Sequence, residues 1–234
     1  MEKFSVGKIV GAVMAVEFEK SVMIKYFMVK KEHQKEGIGR RMFETLFSAL
    51  KAEYETIYIH ANPALVDFFQ DYGFESKIEV GRFINVGKVP PFNFTNAHAK
   101  ELDGSNFESI IAKIDKETFH ENRMDFLIDE MERTSSLKLT LPNGFQHSSI
   151  VNARSVYLGP WQVRKGFEEE AEKMMRGVLY FRGLKKVVAD VPLNVTHVVD
   201  LYKRYHFQSK QRFVHMVYGK DNRVNFENIY AFSL

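Results

Sequence analysis

Six residues, Gln34-Lys35-Glu36-Gly37-Ile38-Gly39, can do chemistry through their backbone. Two glycines in a short loop let main-chain N–H groups turn toward one point. A helix opening at Arg40 adds the positive end of its dipole. The combination is an anion cradle, most simply one for phosphate. Arg40 and Arg41 strengthen the reading, because cations in a first helical turn oppose the dipole by about a few tenths of a kcal/mol each and a bound anion reverses that penalty. An ordinary strand-to-helix turn has the same spacing, so the loop needs support from the elements around it.

Those elements are readable. Val22 to Val29 is an apolar strand that delivers the loop, and Lys8 to Phe18, apolar on both faces, reads as a central strand beside it. Arg40 to Glu53 is a helix with Met42, Phe43, Leu46, Phe47 and Leu50 at helical spacing. Thr56 to His60 is a short strand. Asn62 suits an N-cap and Pro63 a first turn. The helix they start has Leu65, Phe68, Phe69 and Tyr72 as its inner stripe, and Gly73 ends it. Val80 to Val86 is a further strand. Val89-Pro90-Pro91-Phe92-Asn93 divides the chain, since consecutive prolines continue neither a helix nor a central strand. The division predicts two modules, residues 1–94 and 95–234.

Beyond the prolines come helices near Asn106 to Glu117 and Asn122 to Arg133, then strands over Leu137 to Leu141 and Ser155 to Val163. Phe167 to Phe181 reads as a helix, Lys186 to Val191 as a strand and Asn194 to Tyr205 as a helix. Phe213 to Gly219 and Asn228 to Phe232 read as closing strands. This order repeats that of the first half. Tyr72-Gly73-Phe74 matches Tyr205-His206-Phe207 at an offset of 133 residues, which puts Phe69 on Tyr202. Asn62 and Asn194 miss that offset by one position, so the repeat needs a single gap.

Composition narrows the function. The 234 residues, 45% hydrophobic with 21 Phe and 10 Tyr, can bury a large core. The net charge of +3 permits acidic ligands, and without a dense Lys/Arg block it gives nucleic acid no stripe to bind. There are no cysteines. That excludes disulfides and thiolate metal sites and suits a reducing cytoplasm. No run of about 18 apolar residues predicts a membrane span, and Met1 to Gly7 lacks an apolar signal core. No metal site is expected.

The first half resembles the GNAT superfamily of acyl-CoA-dependent N-acetyltransferases. Gln34 to Gly39 matches the family's Gln/Arg-x-x-Gly-x-Gly/Ala, with the strand Lys25-Tyr26-Phe27-Met28-Val29 just before it. Asn62-Pro63-Ala64-Leu65-Val66-Asp67-Phe68-Phe69-Gln70-Asp71-Tyr72-Gly73-Phe74 is similar to the family's Asn-x-x-Ala-x-x-Phe-Tyr-x-x-x-Gly-Phe. The second half, through Tyr157-Leu158-Gly159-Pro160-Trp161 and Asp190-Val191-Pro192-Leu193-Asn194, resembles the C-terminal module of tandem GNAT proteins. The implied fold class is α/β (α+β): two mixed, mostly antiparallel twisted sheets flanked by helices.

Three departures from the family matter. Only seven residues precede Lys8, where the family's first strand and two helices should stand; a start codon set too far downstream is one explanation. Phe69 replaces the tyrosine often used as general acid. Arg164-Lys165-Gly166-Phe167-Glu168-Glu169 has one glycine and two acids where a glycine-rich loop should be, so the second module is expected to be degenerate and to hold no coenzyme in the family's manner.

The resemblance implies that acetyl-CoA is the co-substrate. Its pyrophosphate would lie on Gln34, Lys35, Glu36, Gly37, Ile38 and Gly39 with Arg40 beside them. Its pantetheine arm would run along Phe27, Met28 and Val29, near Asn62 and Phe69. A backbone N–H near Met28 would polarise the thioester carbonyl. The acceptor, a small-molecule or peptide amine, needs a base, for which Glu17 and Glu19 on the neighbouring strand are the candidates, directly or through water. A thiol near pKa ~8.5 leaves readily as thiolate, so losing the acid at position 69 matters less. Tyr72 is a substitute donor further along the helix. His33 and His60 are read as structural, and Tyr202 and Trp161 as packing, with Trp161 the alternative lining of an acceptor pocket and Asp190 and Asn194 a polar patch beside it. The C-terminal module is expected to replace the missing acceptor wall. The incomplete first module leaves room for a homodimer. The competing function is a non-catalytic acyl-CoA-binding or sensor protein.

Overall fold

The computed structural model describes residues 8–86, 107–182 and 185–233. The expected boundary between the modules therefore lies outside the described residues. The first half gives β1 (Gly11–Glu17), β2 (Ser21–Val29), α1 (Ile38–Glu53), β3 (Thr56–Ala61), α2 (Val66–Gln70) and β4 (Glu75–Val86). The second gives α3 (Phe107–Phe119), α4 (Met124–Met131), β5 (Leu137–Leu141), β6 (Gly144–Asn152), β7 (Ser155–Val163), α5 (Glu168–Arg182), β8 (Lys186–Pro192), α6 (Thr196–Arg204), β9 (Gln208–Gly219) and β10 (Ile229–Ala231).

Among the described residues all the strands join one ten-stranded sheet, ordered β1-β2-β3-β9-β4-β8-β7-β6-β5, with β10 on β7. Of these strands, β2–β3 and β7–β8 pair in parallel and the other pairs are antiparallel. The mixed, mostly antiparallel sheet flanked by helices is the expected class, but the two sheets run into one because β4 and β9 change places. β9 lies between β3 and β4, and β4 lies between β9 and β8.

The exchange is symmetric in register. Val80 and Phe213, 133 positions apart, are each other's partners across β4–β9. The pair Ile59–Met216 on β3–β9 corresponds to Ala189–Phe83 on β8–β4. The repeated helix ends behave alike too. Phe74 N donates to Phe69 O at 3.2 Å and Phe207 N to Tyr202 O at 3.0 Å. Gly73 and His206 both stand at positive φ, 89° and 62°. A two-fold normal to the sheet at the Val80–Phe213 pair keeps α1, α2, α5 and α6 on one face.

That face carries two cores. Phe43, Phe47, Phe69 and Phe74 pack with Val22, Ile24, Ile57, Ile59 and Met216 under α1 and α2. Phe83, Trp161, Tyr202, Met174 and Val178 pack under α5 and α6. The Phe43 ring has four aromatic neighbours at 4.9–5.4 Å, Phe47, Phe68, Phe69 and Tyr72, and Phe74 follows at 6.2 Å. Each well-oriented pair of this kind adds about 0.5–1.5 kcal/mol to the burial term. On the opposite face α3 packs on β6 and β7, and with α4 it reaches the β1–β2 hairpin, where Phe126 meets Phe18 at 5.3 Å; Ile111, Ile114, Leu127 and Phe145 are buried between them. Inside this layer Arg123 makes a bidentate pair with Asp115 at 3.0 and 2.7 Å, and Gln162 donates to the same carboxylate at 2.6 Å.

Two local expectations are corrected. β1 is the edge strand among the described residues, not a central one, and its residues alternate between half-buried and exposed. Val10, Ala12 and Met14 made the run look apolar on both faces, but only Val13, Ala15 and Val16 pack on the cores. α6 starts at Thr196 after Val195, and Asn194 is an exposed turn residue rather than the cap.

Candidate active site

The site begins at a fault in β2. Its pairing with β1 runs Ala12–Met28, then Met14–Lys25, so three steps on β2 oppose two on β1. Tyr26 stands in this bulge at φ 52°. A left-handed aromatic residue is strained by about 1–2 kcal/mol, and bulges of this kind re-aim a strand. The parallel pairing of β2 with β3 stops at Ile24–Ile59, just before the bulge. Beyond it Lys25 to Val29 and His60 to Ala61 diverge, leaving a wedge with strand edges on both sides.

Two cavities meet at this wedge. One, of about 600 Å³, is lined by Phe27, Met28, Val29, Gln34, Lys35, Gly37, Gly39 and Arg40 from β2 and the loop after it. Asn62, Leu65 and Phe68 close its far side. The other, of about 370 Å³, lies on the α3–α4 side and takes in Lys25, Tyr26, His60, Phe69, Arg82, Asp190, Gln211, Phe213 and Ser233. Phe27, Met28, Asn62 and Leu65 belong to both.

The loop of the larger cavity has the features of an anion cradle. Lys35 and Gly37 adopt left-handed φ of 70° and 76°, so the amides between them turn inward. Gly37 precedes α1, no side chain caps the helix and no acidic residue enters its first turn. The first intrahelical bond is Arg41 N to Gly37 O at 3.1 Å, which leaves earlier N–H groups for a ligand. A Cβ at Gly37 would meet no atom within 4 Å, so the space before it is open. Gln34 Nε2 donates to Val29 O at 3.0 Å and ties the loop to its strand. Arg40 lies over the Phe68 ring at 5.1 Å and donates to Tyr72 Oη at 3.0 Å.

Most of the predicted coenzyme residues therefore come together: Phe27, Met28, Val29, Gln34, Lys35, Gly37, Gly39, Arg40 and Asn62 line the larger cavity. Three do not. Glu36 is exposed and faces His33 at 3.5 Å. Ile38, the first residue of α1, does not line the larger cavity. Phe69 lines only the smaller cavity. Asn62 does cap, accepting from Ala64 N at 3.0 Å, and its position between the cavities leaves the pantetheine role open to it as well.

The two predicted bases lie elsewhere. Glu17 is exposed opposite Val22, at the end of β2 away from the wedge, and interacts with Tyr54. Glu19 is in the following turn, where its Oε2 accepts from Asn122 N at 3.0 Å. Antiparallel pairing sends the start of β1, not its end, toward the wedge. Tyr72 is no donor for the wedge either, since its hydroxyl donates to Glu44 at 2.5 Å and lines neither cavity. Trp161 and Tyr202 are wholly buried core.

Sequence reasoning passed over Lys25, Arg82 and Gln211, although a cation inside each of two apolar strands was a visible signal. Lys25 Nζ lies 5.1 Å from the Phe126 ring centre and 3.5 Å from Ser233 Oγ. Burial lowers its pKa to about 8, against the pull of Glu130. His60, on the cavity wall, is held down to about 3 by burial, and its Nε2 finds no hydrogen-bond partner among the described residues. No cluster of three or more metal-binding side chains occurs among the described residues, and no described helix is long and apolar enough to cross a membrane.

The corresponding wedge of the second half is closed. β7 also carries a bulge, between Leu158 and Trp161, and its parallel pairing with β8 stops at Leu158–Ala189. There β10 pairs with Trp161 and Gln162, and Phe232 N donates to Asp190 O at 2.8 Å. A Cβ at Gly159 would run into the Phe232 carbonyl, so the approach requires glycine. At the head of α5, Gly166 N already donates to Glu168 Oε1 at 3.1 Å. A carboxylate of the chain sits where an anion would.

Residues 3–86 match the acetyltransferase (GNAT) domain model. The matched stretch ends with β4 and takes in the loop before α1 and both strands of the wedge. No curated protein matches the sequence significantly. Among solved structures the chain is similar to a candidate acetyltransferase of Pyrococcus horikoshii, with TM-score 0.80, 19% identity and coverage of 96% of this chain and 75% of that one. A GCN5-related N-acetyltransferase from Sphaerobacter thermophilus follows at TM-score 0.60 and 16% identity, covering 89% and 76%. A tandem GNAT protein from the clavulanic acid biosynthesis pathway gives TM-score 0.62 at 12% identity, covering 92% and 80%. These likenesses establish the GNAT fold for the chain as a whole.

Proposed function

We propose that the chain is an N-acetyltransferase that moves an acetyl group from acetyl-CoA to an amine by direct attack. The observation that carries this is the wedge: a cradle of free backbone amides opens into one cavity, and a second, differently lined cavity reaches the same four residues from the opposite face. One cavity for a long phosphorylated donor and one for an acceptor, meeting at an exposed strand edge, is the arrangement that such a transfer needs.

Bound acetyl-CoA would supply an activated acyl thioester. The amides after Lys35 and at the head of α1 would hold its pyrophosphate, with Arg40 adding charge. Main-chain groups of β2 from Phe27 to Val29 would pair with the pantetheine amides as a neighbouring strand does. A β2 N–H near Met28 would face the developing oxyanion. The acceptor amine would enter through the smaller cavity, where Lys25 titrates closest to neutrality among the lining groups with a resolved shift. Phe69 offers no proton, so the coenzyme leaves as thiolate. The second module is a degenerate copy: β10 occupies its wedge and Glu168 its cradle. It serves instead as the acceptor wall, through Asp190, Gln211, Phe213 and Ser233.

Titration calorimetry with acetyl-CoA and release of free thiol across an amine panel test the proposal. Gly37→Glu puts a charged side chain into open space at a left-handed φ and is expected to weaken acetyl-CoA by at least about 30-fold, at a cost in stability of about 1–2 kcal/mol. Wild-type protein that is folded and has no affinity for acetyl-CoA refutes the assignment. Binding without turnover of any amine supports the acyl-CoA sensor instead.

A further inference from the structure

The smaller cavity carries charge in an arrangement that the transfer itself does not require. Strand register puts three polar residues in a row across the sheet. Gln211 on β9 and Asp190 on β8 are both direct partners of Arg82 on β4. All three line the cavity. Arg82 donates to Asp190 from Nε at 2.8 Å and from Nη2 at 2.7 Å, while its plane lies over Phe213 at 4.9 Å from the ring centre. Asp190 is nearly buried, and both of its oxygens are engaged by this one guanidinium. The carboxylate therefore holds Arg82 in plane, and its charge is offset by that of the guanidinium. Arg82 Nη1 has no hydrogen-bond partner among the described residues and remains for a ligand. Lys25 is the remaining charged residue in the lining. The outer edge of Arg82 thus faces a space of amino-acid rather than oligosaccharide size.

We infer that the acceptor is an amine bearing a carboxylate, a free amino acid or a compound of that kind, with Arg82 as the group that binds the carboxylate. An arginine locked in plane by a buried carboxylate and an aromatic face presents its outer N–H groups with little entropy left to lose. Polyamines and polycationic sugars would bring positive charge to Arg82 and Lys25 without a free carboxylate to meet it. The inference rests on the acetyltransferase reading.

The test compares L-α-amino acids and short ω-amino acids, each beside its carboxamide, in the thiol-release assay with acetyl-CoA. Free acids are expected to be turned over at least about ten-fold better in kcat/KM than their amides. Arg82→Gln is expected to raise KM for the best acid by about 10–100-fold, in line with loss of a charge-assisted hydrogen bond, and to leave acetyl-CoA affinity within about two-fold. Because Arg82→Gln strands a buried carboxylate, the pair R82Q with D190N, which removes both charges, is measured alongside and should abolish the preference for acids equally. A protein that binds acetyl-CoA but prefers amides or polyamines, or whose acid preference survives in both variants, overturns the inference alone. A protein that binds no acetyl-CoA overturns the reading beneath it.

Discussion

Acid should destabilise this protein well above the range in which most carboxylates titrate. His60 and His147 are held to about 3 and about 4, both chiefly by burial, against an ordinary value of 6.5. The unfolded chain takes up a proton at each site as pH falls through 6.5, and the folded chain refuses it until far lower. The unfolded state therefore binds more protons across this window, and stability falls as pH falls. At 1.36 kcal/mol per pH unit for each refused proton, the two sites together remove about 4 kcal/mol between pH 7 and pH 5. That is a large share of the ~5–15 kcal/mol that holds a typical domain. His215, pushed in the same direction by burial and by His60, adds to the loss. The assay is urea unfolding at pH 7, 6 and 5, followed by fluorescence of Trp161, which is wholly buried. His60→Phe, which keeps a ring beside His215 and Phe232, should shrink the pH 7 to 5 loss by about 2 kcal/mol, one refused proton's worth. Equal midpoints at pH 7 and pH 5 would mean that these imidazoles protonate freely, and that the sheet face under the acceptor cavity is wet rather than sealed.

Four further outcomes follow from the packing. Lys25, with its pKa lowered to about 8, binds fewer protons when folded than when unfolded between pH 8 and about 10.5, so its contribution to stability rises across that window, by on the order of 3 kcal/mol; Lys25→Met should flatten the rise, and an unchanged pH profile of unfolding would show the amine to be solvated. Phe69→Tyr restores the hydroxyl of the related acetyltransferase motif, but a thiolate leaving group gives it little to do, so kcat should move by less than about three-fold; a rise of about ten-fold or more would make protonation rate-limiting. Arg123→Leu leaves Asp115 buried without its bidentate partner and should cost about 3–5 kcal/mol in a urea melt. Tyr230→Ala removes a buried ring that packs on Trp161 at 5.1 Å, and a loss of about 3–5 kcal/mol is expected; a variant as stable as the parent would mean that β10 does not seal the second wedge.

The cradle was legible because its cause is local: Gly37, Gly39 and two arginines at a strand-to-helix join are all within one short stretch. The bulge was not, since Tyr26 gives no sign of left-handed φ, and a bulge is visible only against a partner strand. β6 went unread because Gln146, His147, Ser148 and Ser149 look like loop, yet all four are buried. His147 is satisfied there by Gly159 O at 2.9 Å and Ser136 Oγ at 2.8 Å, partners remote in sequence. β4 and β9 each run further toward their N-terminal ends than their apolar residues suggested, starting at Glu75 and Gln208. Exposed polar residues such as Gln208 to Lys210 carry no alternation to betray a strand, while register across β4–β9 holds them in one. The repeat was visible at 133 residues, but the exchange of β4 and β9 was not. Either strand fits either slot by pattern, and only the pairing of Val80 with Phe213 decides.

That exchange bears on why one wedge stays open and the other is shut. Because β9 lies between β3 and β4, the first half has no complete sheet of its own, and residues of the second half necessarily flank its wedge. Phe213 and Gln211 reach the acceptor cavity on β9, and Asp190 reaches it on β8 by pairing with Arg82. The segment that fills the second wedge then leads onward: Phe232 bridges to Asp190, and Ser233 after it lines the first cavity. Closing one slot thus builds a wall for the other. Removing the second half therefore cannot be a neutral truncation, because it would strip an interior strand from between β3 and β4 and expose both their edges. A fragment ending before α3 should fail to unfold cooperatively in urea. If it does unfold cooperatively and still binds acetyl-CoA with the affinity of the full chain, then β3 and β4 can pair without β9, and the exchanged strands are not what holds the wedge in shape.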